Sequence, residues 1–108
     1  MWMALLALLG CAEPDPPAVC AQMCDAAEAL YGACLTDWGA DWSTAGYDDA
    51  EDFRTSCETW GWEMALLEQD ADKDGWLEAT CTTRRDAMAA DDAPCSAYTD
   101  IDWGASPQ

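Results

Sequence analysis

The sequence predicts an all-α fold, a small bundle of three main helices plus a short fourth segment, stapled by disulfides. Three observations carry this prediction. Apolar residues recur every three or four positions in three separate stretches, which is the helix period. Seven cysteines occur in 108 residues, and covalent links are what a chain with so small an interior uses for stability. Clusters of Gly, Pro and Asp fall between the stretches, where turns belong.

The first stretch is the spine. Val19, Cys20, Met23, Cys24, Ala27, Leu30, Tyr31, Cys34 and Leu35 share one face over residues 18–38. Good helix formers fill the positions between them, and Gly39 stands where a helix commonly ends in a left-handed residue. The loop that follows carries Trp38 and Trp42, which either cap the end of the bundle or offer an aromatic surface. A second helix is expected over residues 48–69. Asp48, Asp49, Glu51 and Asp52 crowd its first turn, where the helix dipole favours negative charge. Phe53, Cys57, Trp60, Met64 and Leu67 form its apolar stripe, which Gly61 weakens by roughly 1 kcal/mol relative to Ala. A third helix is expected over residues 77–90, with Leu77, Cys81, Arg84, Arg85 and Met88 at helical spacing. Pro94 then breaks the pattern, and residues 95–103 close the domain before a frayed tail at residues 104–108.

Composition narrows the function. Twenty-two acidic residues stand against four basic ones, for a net charge of −18. Nucleic acid requires a basic face, so no nucleic-acid partner is expected. Solubility, cations or basic partners fit this charge better. The chain has no His and no Asn, which removes Ser-His-Asp triads, His-based zinc sites and N-glycosylation sequons.

The N-terminus reads as a targeting segment. Residues 1–9 are apolar, far short of the roughly 20 needed to span a bilayer, and match the apolar core of a secretory signal peptide. Leu8-Leu9-Gly10-Cys11 resembles the lipobox of bacterial lipoproteins. No Lys or Arg precedes the apolar run, which leaves room for a start upstream of Met1. The resemblance implies a signal peptide at residues 1–10, cleaved before Cys11. Cys11 would be acylated and would anchor the chain in the bilayer, where several acyl chains hold stably. Residues 11–17 would form a Pro-rich tether, and residues 18–103 the helical domain. Ala12 after the cysteine points by the same resemblance to the outer membrane, facing the periplasm or the cell surface.

Removing Cys11 leaves an even six cysteines. Only Cys20 and Cys24 have a spacing suited to a structural zinc pair, and disulfides are the default in an exported chain. Six cysteines allow many pairings. In an up-down-up bundle the lower end of the first helix meets the start of the third, which ranks Cys20–Cys81 first. Cys24 then faces Cys57, and Cys34 is left for Cys95.

One stretch carries candidate metal chemistry. Asp70-Ala71-Asp72-Lys73-Asp74-Gly75 resembles the first half of an EF-hand calcium loop. The resemblance implies Asp70, Asp72 and Asp74 as carboxylate ligands, the Trp76 carbonyl as the next ligand, and Glu78 at position nine. The pattern departs at position twelve, where Cys81 replaces the bidentate Glu and sulfur is a poor calcium ligand. Glu68, Glu78 or Asp86 could supply the missing carboxylate. The competing reading is an acidic inter-helix turn, with Asp72 or Asp74 capping the third helix.

These observations point to a non-enzymatic, lipid-anchored, extracytoplasmic binding or structural module, with Ca2+ as an optional stabiliser. The alternative is an adaptor that docks a basic or aromatic partner through Trp38 and Trp42. A hydrolase built on paired carboxylates is a remote third, because so many acidic residues make any pair unspecific.

Overall fold

The computed structural model describes residues 13–107. Four helices follow one another: α1 (Ala18–Asp37), α2 (Ala50–Ala71), α3 (Trp76–Ala89) and α4 (Ser96–Thr99). No strand forms among the described residues. Cys11 and the expected signal peptide lie outside the described residues.

Pro17 opens α1 from a φ of −59°, and its carbonyl accepts the Cys20 N–H at 2.9 Å. The helix closes at Gly39, whose φ is 70°. There the Gly39 N–H donates to the Thr36 carbonyl at 3.0 Å and the Ala40 N–H to that of Leu35 at 2.8 Å. This paired closure satisfies carbonyls that the helix end leaves free. Cys20, Met23, Cys24, Ala27, Cys34 and Leu35 are buried on the expected face.

Asp49 caps α2 by accepting the Asp52 N–H at 2.8 Å, while the Asp52 carboxylate reaches back to the Asp48 N–H at 2.9 Å. Such reciprocal bonds satisfy donors that the first turn would otherwise leave open. Phe53, Cys57, Trp60 and Met64 are buried as the stripe predicts, but Leu67 is 41% exposed. In the second half of α2 the buried arc turns toward Gly61 and Ala65. Gly61 faces Pro16 and Cys20, so the side that α1 and the tether cover is the one that sinks inward. Leu67 falls outside that arc.

On α3, Leu77, Cys81 and Met88 are buried. α1 packs most broadly on α3 and next on α2, while α2 and α3 touch each other little. The spine therefore stands between its neighbours, and all three long helices supply the shared core.

Three disulfides tie the elements together: Cys20–Cys81, Cys24–Cys57 and Cys34–Cys95, with Cα separations of 5.0, 5.9 and 6.0 Å. These are ordinary disulfide separations. The pairs are those that the up-down-up arrangement ranks first. They bind α1 to α3, to α2 and to the segment leading into α4.

Pro107 is buried, and Ala105 and Ser106 are partly covered. No helix among the described residues is long and apolar enough to cross a membrane.

Candidate functional site

Three places could carry function: the acidic turn between α2 and α3, the tryptophan loop after α1, and a recess lined by aromatic rings.

The acidic turn is shorter than a calcium loop requires. α2 runs on to Ala71 and α3 starts at Trp76, so Asp70 lies within one helix and Glu78 within the first turn of the next. Asp72 ends α2 in the left-handed region at φ 56°. Its N–H donates to the Gln69 carbonyl at 3.2 Å, and the Lys73 N–H donates to the Glu68 carbonyl at 3.1 Å. This is the closure seen at Gly39, built here on an Asp, one of the few side chains that visit the left-handed region. Gly75, at φ 90°, turns the chain into α3.

The cap on α3 differs from the expected one. Neither Asp72 nor Asp74 provides it. Glu68, from the last turns of α2, accepts the Leu77 N–H at 2.7 Å. A carboxylate at a helix N-terminus is well placed against the dipole. One of the carboxylates that could complete a calcium cage, Glu68, is thus held by a helix end.

Among the described residues no group of three or more His, Cys, Asp or Glu side chains is placed to hold a metal ion. No three of the Asp70, Asp72, Asp74 and Glu78 carboxylates are therefore gathered at one centre in this arrangement, and Cys81, at position twelve, is bonded to Cys20. The residues present do not fit an EF-hand ligand set as they stand.

The tryptophan loop separates its two rings. Asp41 organises a single turn, accepting the Thr44 N–H, the Thr44 hydroxyl and the Ser43 hydroxyl, each at 2.9 Å. These bonds, led by the Thr44 backbone N–H, hold the Asp41 carboxyl below the usual carboxylate range. The turn sends Trp42 inward, edge-on to Tyr31 at 5.6 Å and tilted on Phe53 at 4.9 Å. Trp38 stays 54% exposed. The two indoles do not form one outward surface, because Trp42 serves the core.

The recess is lined mainly by aromatic rings. Five rings follow one another around it. Tyr47 stands edge-on to Phe53 at 5.1 Å and Phe53 edge-on to Tyr98 at 5.9 Å. Tyr98 leans on Trp103 at 6.0 Å, and Trp103 meets Trp60 edge-on at 5.2 Å. Ser56 and Cys57 complete a wall around about 240 Å³. Two bonds fix the Trp103 end. The Trp60 indole N–H donates to the Trp103 carbonyl at 3.0 Å, and Arg84 donates to the Asp102 carbonyl at 3.1 Å.

The Arg84 guanidinium lies 5.2 Å from both the Trp60 and the Trp103 ring centroids, within cation–π range. Burial lowers the Arg84 pKa, and the nearby Asp102 opposes that shift. Burial chiefly, with Tyr47 and Tyr31 adding to it, pushes the Tyr98 hydroxyl well above its ordinary value. Its ring therefore stays neutral.

Sequence reasoning missed this recess. Its rings come from the loop before α2, from α2 itself and from the closing segment, and no local spacing unites them. The available signal was Tyr98 and Trp103 in a short segment tethered by Cys95.

The chain matches no protein-family model, no curated protein and no solved structure, so the functional reading rests on its own residues.

Proposed function

We propose that the chain is a lipid-anchored, extracytoplasmic, non-catalytic binding module, held close to a bacterial membrane through acylated Cys11. The observation that carries this reading is where the tether meets the body. A Cβ at Gly61 would lie 3.7 Å from the Pro16 Cβ, so the tether's end rests on α2. Cys11 is five residues upstream of Pro16, a span of at most about 18 Å. An anchor at that residue keeps the α2 face near the bilayer surface.

The face beside the tether suits that position. Trp62 and Leu66, one turn apart on α2, are 44% and 40% exposed, and Trp62 borders the same hollow as Pro16 and Pro17. Indole rings are favoured at membrane–water interfaces. The three disulfides suit an oxidising compartment outside the cytoplasm. The geometry of the acidic turn gives calcium no comparable support, and the separated Trp38 and Trp42 give none to the adaptor.

The test is expression in a bacterial host, with fractionation and mass spectrometry of the N-terminal peptide. The expected result is membrane-bound protein that begins at acylated Cys11, with Cys11→Ser released from the membrane. A chain that retains residues 1–10, or that is recovered soluble with an unmodified Cys11, would overturn the anchor.

A further inference from the structure

We infer that the aromatic recess is a binding site for a trimethylammonium group. The inference rests on the binding-module reading and is independent of the anchor. The wall is an arc of five rings at centroid spacings of 5.1 to 6.0 Å, which offers a small occupant a largely aromatic surface. Its volume of about 240 Å³ is below the roughly 300–1,000 Å³ of sites for drug-sized ligands. The occupant is therefore a compact group.

Charge selects a cation. Neither Lys nor Arg lines the recess, and the chain carries −18 overall. No Asp or Glu lines the recess either, so the attraction comes from the rings themselves and from the acidic surface around them. Trp60 and Trp103 already hold one cation, Arg84, which does not line the recess and whose charge Asp102 offsets. These rings are thus placed to act as cation–π partners.

Polarity selects a cation without N–H groups. An ammonium or guanidinium brings donors that need acceptors once desolvated. As side-chain oxygen acceptors the wall offers only the Ser56, Tyr47 and Tyr98 hydroxyls. A trimethylammonium group carries positive charge on an apolar surface and requires no hydrogen bonds, which is why aromatic cages recognise it. The same scarcity of polar groups disfavours a sugar.

The test uses mature protein, solubilised in an uncharged detergent that lacks choline, and follows the ligand by proton NMR. The probes are choline, glycerophosphocholine and 3,3-dimethylbutan-1-ol, the neutral isostere of choline. The expected result is an upfield ring-current shift of the choline methyl protons, with saturable binding at least about tenfold tighter than that of the isostere. Tyr47→Leu and Trp103→Leu should each weaken choline about tenfold or more while far-UV circular dichroism is retained. Trp38→Leu, outside the recess, should leave it unchanged. Binding of both choline and glycerophosphocholine supports a site open to lipid headgroups; binding of choline alone supports a free solute. Equal affinity for the neutral isostere overturns the cation assignment and leaves an apolar site. No binding of any probe, or binding unaltered by both wall variants, overturns the inference, and the anchor reading then stands or falls on Cys11.

Discussion

Gly61 and Gly32 both lie inside helices, and their neighbours set opposite outcomes for adding a methyl group. At Gly61 a Cβ would meet Pro16 and Cys20 at 3.7 and 3.9 Å, ordinary packing distances. Gly61→Ala should therefore recover the helix propensity that Gly forgoes, roughly 0.5–1 kcal/mol. At Gly32 the Cβ would stand 3.2 Å from the Trp42 ring, which is itself wedged against Tyr31 and Phe53. Gly32→Ala should show no net gain, because the propensity term is offset by crowding in a filled core. Denaturant unfolding with the disulfides intact, comparing each variant with the parent, checks both. The sequence flagged Gly61 as a weakness in a helix. It could not reveal that the gap beside it admits a methyl group, because Pro16 is distant along the chain.

At the scale of elements, the helices were legible because period and punctuation agree. The α1 face, the acidic start of α2 and the buried Leu77, Cys81 and Met88 of α3 all follow local rules. The turn between α2 and α3 was less legible, since D-x-D-x-D-G is compatible with a cation loop and with a tight helix reversal. In this structure Glu68 caps Leu77, a contact that no capping pattern within α3 announces. Glu68→Ala should destabilise the protein by about 1 kcal/mol, the usual cost of losing a cap. Glu68→Gln should cost less, because its amide oxygen can still accept the bond. The same geometry predicts no saturable heat on titration with 10 mM Ca2+, well above the roughly 10⁻⁴–10⁻³ M of weak extracellular sites. Saturable binding that is lost in Asp70→Ala/Asp74→Ala would show instead that the turn opens to assemble the calcium loop.

At the scale of the molecule, the three disulfides do different work. Cys20–Cys81 and Cys24–Cys57 lie in the core shared by α1, α2 and α3. Cys34–Cys95 holds the closing segment, which supplies Tyr98 and Trp103 to the recess. Its loss should release that segment before the three-helix body. For Cys34→Ser/Cys95→Ser we expect a loss of up to about 4 kcal/mol from chain entropy. Near-UV circular dichroism should fall sharply, and the far-UV helix signal should change little. Simultaneous collapse of both signals would show that the closing segment belongs to the cooperative core.

The sequence by itself determined the helices, their inward faces and the need for covalent staples, because these follow from periodicity, propensity and the small size of the chain. It also ranked the pairing, since three cysteines on one helix leave few arrangements in an up-down-up bundle. Only the tertiary structure decided which rings share a cavity, which carboxylate caps α3, which tryptophan turns inward and why Leu67 is left in solvent. Those outcomes depend on residues far apart in the chain meeting at distances of a few ångströms, and local spacing carries no record of such meetings.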